Sequence, residues 1–595
     1  MAESGPHTAA VAAESWLEVI DSDSPLLLIA PHGGRAEPRT RSMLNPKVND
    51  LHTAEITRGL AARLGASALI NVAMDRNRLD CNRLSQIIER APWLLELIAE
   101  RVDAMVARHG RVTVLLIHGW NIIEPRLDFG LGLRTLGGEL RPPGSACVSA
   151  CDDFINGPLA GLAERLHRHG IKPTYGMRYP GGGLQNLLQA FTARHRQSPN
   201  AALRSISEIA TNGVIDAAQL ELSVALRMPG ELRARCEDAI AEVFSGNGSP
   251  DVARAPIAIN RAPQPPVRSE IGAAATVAAP GRIGIEFYDP AARFGAMASF
   301  DVGGAGMGAR IMMLFDQHRA ALFTAEGRPT RSASAVTHGP LSMRREGESI
   351  VLAFRGPAVI VPDATAYLSI ERALASGRLD GNTEVEMRFE IDRGGGEFDF
   401  DRILSSQGAA ADALSSSVAF GRVSGKVCVD GASRAVNGFA RAGMSFTGLG
   451  PQKFTARRMI WACFEADKAP RALEARSVAT EDAPPNQSAR ILEAAGWSPC
   501  ELRNLTIETP SVEEPPHRIV ASLTRADGSS CELEGSVECF IPLSRPGPEQ
   551  SRIYTSLGFA SFSIGAHRGA GMFEYSRVAD SVLTASDENE DSDSD

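Results

Sequence analysis

The sequence predicts a multidomain protein, with an α/β domain in its N-terminal half and an all-β, barrel-like region in its C-terminal half. Three observations carry this reading. Short apolar runs alternate with helical patterns up to about residue 245. A Pro-, Gly-, Ala- and Ser-rich stretch without periodicity then covers 246–280 and reads as a linker. Beyond it come many short β-like runs separated by turns rich in Gly, Asp, Pro and Asn.

In the first half, 25–30 (PLLLIA), 67–72 (SALINV), 111–117 (RVTVLLI) and 217–222 (AAQLEL) read as buried strands. Apolar residues at helical spacing predict helices over 51–64, 91–106 and 229–244. This alternation fits an α/β domain over 20–245 with a largely parallel sheet. In the second half, runs at 283–287, 309–315, 349–354, 383–391, 425–429, 459–464, 518–524, 531–540 and 559–564 predict barrels or sandwiches. They are divided into units at 281–470 and 471–580, with a short helix over 489–495 (ARILEAA) near the junction. The acidic tail, 581–595, is expected to be disordered.

Composition narrows the function. The chain has 595 residues, 61 Lys+Arg against 71 Asp+Glu, and a net charge of −10. That balance argues against a nucleic-acid partner, whose binding rests on neutralising phosphates. Six of the acidic groups sit in the last ten residues, so the folded part is closer to neutral. No apolar run is long enough for a membrane span, and the first residues lack the basic and apolar regions of a secretory signal. Nine scattered cysteines without a CxxC pair suit free thiols in a reducing compartment, so a cytoplasmic location is expected.

Three predicted strands end in residues able to do chemistry. After PLLLIA comes His32-Gly33-Gly34-Arg35-Ala36-Glu37, after RVTVLLI comes His118, and the strand AAQLE ends on Glu221. Ligands of open parallel sheets bind beyond the carboxyl ends of the strands. His32, Glu37 and His118 would supply a His₂Glu set for a catalytic zinc with one position open for water. Glu221 would take the proton from that water. His52 and Glu55, an HxxE pair on the first helix, are competing ligands or a solvated face. Arg76, Arg78 and Arg83, in RNRLDCNR, are placed to hold a substrate carboxylate or to lie in a surface loop. Arg178 stands at the root of a glycine loop, 181–183, that closes over substrate or simply turns.

The ordered set PHGGRAEP, DLHTAEITRGLAARL, RNRLDCNR, LLIHG, the GGG loop and AAQLELSVALR resembles the N-formylglutamate amidohydrolase family and the related poly-γ-glutamate hydrolases. The HGGxxE form is closer to the latter. The resemblance covers roughly 20–245 and implies a zinc-carboxypeptidase-like α/β fold that cleaves amides beside glutamate-type carboxylates. It implies zinc on His32, Glu37 and His118, with Glu221 as general base. Asp80, Asn82 and Arg83 match the family's DxNR-like segment, preceded by Arg78, and are assigned to substrate orientation or support of the ligands. The segment 124–155 reads as an insertion or lid.

The second half resembles the tandem lipocalin-like domains of the carotenoid hydratase group, through 423–446 (VSGKVCVDGASRAVNGFARAGMSF) and 569–577 (GAGMFEYSR). Where that group carries an acid and an imidazole, this chain has 441–446 (RAGMSF), which argues against hydratase chemistry of its own. The leading expectation is therefore a zinc-dependent amidohydrolase for a small-molecule amide bearing a carboxylate, its β half binding an apolar ligand or substrate part. The alternative is an apolar-ligand-binding protein or lipocalin-like isomerase or hydratase with an inactive hydrolase-like domain.

Overall fold

The computed structural model describes residues 15–35, 47–136, 139–142, 147–245, 259, 281–301, 307–392, 418–446, 454–465, 471–480, 484–494, 496–509, 511, 514–546 and 551–579. The predicted linker, apart from Ile259, and the predicted acidic tail lie outside them.

The first half is built on a seven-stranded sheet. In chain order its strands, with a separate two-stranded hairpin, are β1 (Leu17–Ile20), β2 (Leu26–Ala30), β3 (Ser67–Asn71), β4 (Val112–Trp120), β5 (Arg126–Gly130), β6 (Arg134–Leu136), β7 (Glu139–Arg141), β8 (Lys172–Tyr175) and β9 (Ile215–Ser223). The sheet order is β1-β3-β2-β4-β9-β5-β8, with β6 and β7 forming the hairpin. β3, β2, β4 and β9 run parallel. Helices α1 (Thr53–Leu64), α2 (Leu84–Arg90) and α3 (Pro92–His109) follow β2 and β3. Apolar side chains on the two faces of the sheet enter two different core clusters: Leu28 and Leu115 pack on one side, Leu27 and Leu116 on the other. Burial on both faces explains why these strands read as continuous apolar runs.

The segment 124–155 is not simply a lid. Its residues Arg126–Gly130 form β5, which lies inside the sheet between β9 and β8.

The second half is all β. Its first unit runs from the strand Gly281–Asp289 to the strand Ala432–Phe446 in one eleven-stranded sheet. Pairing of Arg319–Glu326 with Ser349–Val361 returns this sheet on itself, so that eight strands form a ring. The second unit is a closed eight-stranded barrel, sealed where Ala456–Phe464 pairs with His567–Ala579. Ala456–Phe464, assigned by sequence to the first unit, is therefore a stave of the second. The helix predicted over 489–495 is replaced by a strand, Asn486–Glu493. Ala489 and Ile491 face the barrel core, while Arg490 reaches Glu474 on the neighbouring strand. Cross-strand packing overrides the local helix preference of Ala, Leu and Glu.

The halves are joined by packing as well as by chain. Ile123, Val224 and Met228 of the α/β half belong to the same core cluster as the first β unit. The Ile123 and Glu124 N–H groups donate to the Thr324 carbonyl at 3.1 and 3.0 Å. No helix among the described residues is long and apolar enough to cross a membrane.

Candidate metal centre

β2 and β4 are parallel neighbours, so the segments beyond their carboxyl ends lie side by side. His32 follows β2, and His118 sits near the end of β4. Each is at most 2% exposed. Their Nδ1 atoms both lie 3.3 Å from one oxygen, Asp50 Oδ2. His32, Asp50 and His118 thus form a cluster whose ligand atoms lie within 4.8 Å of one another.

Asp50 precedes α1, where an Asp is expected to cap the helix. Instead its carboxylate turns inward, accepting the Gly119 N–H at 2.9 Å and an Arg76 N–H at 3.3 Å. His52 takes the position before α1, in the left-handed region at φ 69°. It pairs loosely with Glu55 at 4.0 Å, outside the cluster.

Asp80 lies behind His32. Its Oδ1 is 2.7 Å from His32 Nε2 and also accepts the Asn82 N–H at 3.0 Å. Arg76 bridges the two acids, reaching Asp80 at 3.8 Å. This is a carboxylate that orients an imidazole from the far side, as around bound metals.

The electrostatics follow from burial and from these pairings. Burial alone would raise the Asp50 carboxyl, but His32, the hydrogen bonds from both imidazoles and Arg76 hold it well below the ordinary range. Burial, aided by the charges of His32 and Arg76, pushes His118 down to about 4 against the pull of Asp50. Burial and Arg76 also act to lower His32, but Asp80 and Asp50 outweigh them and raise it.

These residues fit a cation. With Nε2–H directed at Asp80, a neutral His32 presents its Nδ1 lone pair to the Asp50 carboxylate, an arrangement stable only with an extra proton or a metal between them. His118 Nε2 is buried without a hydrogen-bond partner. Two imidazoles and a carboxylate are a donor set that suits zinc.

Glu221 stands beside the cluster, directly across from His118 in the β4–β9 register. Burial, joined by the negative charge of Asp50, raises its carboxyl well above the ordinary glutamate value, opposed by a hydrogen bond from Gln219. On its other side, β5 places Asp128 opposite Glu221. Asp128 accepts the N–H groups of Met177, Arg178 and Tyr179 at 3.0 to 3.3 Å, fixing the start of the glycine loop. Tyr179 packs edge-on to Trp120, with ring centroids 6.0 Å apart.

The glycines after His32 are required for close approach rather than for an unusual φ. A Cβ on Gly34 would lie 2.0 Å from the Met74 carbonyl oxygen, and one on Gly33 2.7 Å from that of Asn71.

Of the predicted site residues, His32, His118, Glu221 and Asp80 are brought together. Glu37 lies outside the described residues. Asn82 is half-buried, with its side-chain oxygen unpartnered, and Arg83 precedes α2. Arg78 is exposed. Arg178 is exposed at the rim, 4.0 Å from Glu326 of the first β unit. Asp50 and Gln219 were missed by sequence reasoning. The available signal for Asp50 was a helix-capping residue type ahead of the first helix, and that signal points to local capping rather than to a ligand.

No protein-family model matches the chain, and no curated protein matches it. Among solved structures it is similar to an N-formylglutamate amidohydrolase from Ralstonia eutropha, at 15% identity over 39% of this chain and 97% of that one, with a TM-score of 0.26. Kievitone hydratase from Nectria haematococca is similar at 10% identity over 51% and 90% of the two chains, TM-score 0.29. CghA bound to Sch210972 is similar at 9% identity over 50% and 88%, TM-score 0.30.

Proposed function

We propose that the α/β half is a zinc-dependent amidohydrolase acting on an N-acyl amino acid or γ-glutamyl-type amide. The observation that carries this reading is the convergence of His32, Asp50 and His118, with Asp80 behind one imidazole and Glu221 beside the other. Bound there, zinc would supply polarisation of the scissile carbonyl and acidification of water. His32, Asp50 and His118 would hold it, and a fourth position would remain for water or substrate.

Glu221 is the proton carrier. Burial makes its carboxylate more basic, so that in the ionised form an Oε atom accepts a proton from the attacking water and returns it to the leaving nitrogen as the C–N bond breaks. Gln219 holds Glu221 in place by a side-chain hydrogen bond. Arg178, whose backbone is fixed by Asp128 at the rim, is assigned to the substrate carboxylate.

The test is a screen of N-formyl, N-succinyl and γ-glutamyl amides with zinc-loaded wild type and Glu221→Gln. The expected outcome is turnover of at least one class by wild type and a loss on the order of 10²- to 10⁴-fold in the variant. Equal turnover by the variant would remove Glu221 from the mechanism.

A further inference from the structure

The closed barrel of the second β unit has a polar end that the hydrolase chemistry does not use. Pairing register fixes which side chains face its lumen. Ile460 and Phe573 lie opposite each other and are fully buried in the barrel core. Two residues along each strand, on the same face, stand Arg458 and Tyr575, again opposite each other. Ser477 is across from Arg458 on one side, and Ser556 is across from Tyr575 on the other. Arg577 follows two residues beyond Tyr575 on the same face.

The lumen therefore changes character along its axis. Its deeper part is filled by side chains such as Ile460, Phe540 and Phe573, each at most 3% exposed, which leaves that part to packing. At its end stand two guanidinium groups, a phenol and two hydroxyls. The Arg458 guanidinium carbon lies 5.1 Å from the Tyr575 ring centroid. The Nε atoms of both Arg458 and Arg577 are buried without a hydrogen-bond partner, and among the described residues neither arginine is in an ion pair. Their neighbour on the outer face differs in its ion pair: Arg457 Nε also lacks a hydrogen bond, but it lies 3.5 Å from the Glu574 carboxylate, and both residues point away from the lumen. Two cations with unsatisfied donors at one barrel end call for an anion.

We infer that this end of the barrel binds a compact oxyanion, either the carboxylate of a small organic acid or a phosphate group. Arg458 and Arg577 provide the charge-assisted donors, and Ser477, Ser556 and Tyr575 provide hydroxyls. The filled lumen directs the rest of the ligand outward. This site is independent of the hydrolase reading.

The experiment is calorimetric titration of the full chain, stripped of metal with chelator, using hexanoate and inorganic phosphate separately. Wild type, Arg458→Gln, Arg577→Gln, Arg458→Lys and Arg577→Lys are compared, with thermal melts to confirm folding. Saturable one-to-one binding of at least one anion is expected, weakened at least tenfold in each folded Gln variant and partly restored in the Lys variants. Hexanoate alone would identify a carboxylate ligand, and phosphate alone a phosphate group. No saturation of wild type by either anion up to on the order of 10 mM would overturn the site, as would unchanged affinity in any folded Gln variant.

Discussion

At the scale of single residues, Asp80 decides how His32 presents itself. With its Oδ1 at 2.7 Å from Nε2, it selects the tautomer that leaves Nδ1 for a ligand. Asp80→Asn is expected to weaken zinc binding about 10- to 100-fold, the range seen when the partner behind a metal-bound imidazole is removed. Competition titration with a chromophoric chelator measures it. Protons compete for the same nitrogens. Because His32 is raised above its ordinary value, its protonated form persists to higher pH. Zinc affinity should therefore begin to fall at a pH above about 6.5, the unperturbed imidazole value, rather than below it. A flat affinity between pH 8 and pH 6 would show that His32 is not a ligand. His32, His118 and Glu221 were legible in the sequence because each ends a buried strand. Asp50 was not, because its role arises from convergence of segments that sequence spacing does not record.

At the scale of elements, residues 31–34, just after β2, depend on how closely they approach the turn after β3. Asn71 clamps that turn, donating to the Pro31 carbonyl at 2.9 Å and the Met74 carbonyl at 3.0 Å. Gly34→Ala would drive a Cβ into the Met74 carbonyl. A destabilisation of about 2 kcal/mol is expected, read from chemical denaturation, with weaker zinc binding because the same turn leads to Arg76. The strands β2, β4 and β9 were legible as apolar runs. β5 was not: in RLDFG both Arg126 and Asp128 are fully buried, and charges at such positions read as loop. They are tolerated because Glu124 pairs with Arg126, and because three N–H groups and the Thr174 hydroxyl satisfy Asp128.

At the scale of the whole molecule, the two β units meet through apolar and ionic contacts. Tyr288 of the first stacks on Phe559 of the second, with centroids 5.1 Å apart. Glu286 accepts the Trp461 indole N–H at 2.8 Å and an Arg441 N–H at 3.3 Å, while Arg441 also reaches Glu474 at 3.0 Å. Burial alone would raise the Glu474 carboxyl, but Arg441 and Arg490 outweigh it and lower it. A lowered carboxyl stabilises the fold above the ordinary glutamate value of about 4.3 and loses that contribution as pH falls through its folded value. Glu474→Gln should cost on the order of 3 kcal/mol at neutral pH and flatten the acid limb of a plot of Tm against pH. An unchanged acid limb would place the acid sensitivity elsewhere. The two-half organisation was legible from the change in pattern across 246–280. The docking was not, because Ile123, Val224 and Met228 look in sequence like ordinary core residues of their own half.

The proposed site stands or falls on whether His32, Asp50 and His118 hold a metal ion. Elemental mass spectrometry on the full chain, after zinc is offered and excess removed, tests it most directly. About one zinc per chain is expected in wild type and Glu221→Gln, and none in a folded His118→Ala or Asp50→Asn variant. Zinc-free wild type, or zinc retained in both ligand variants, would contradict it.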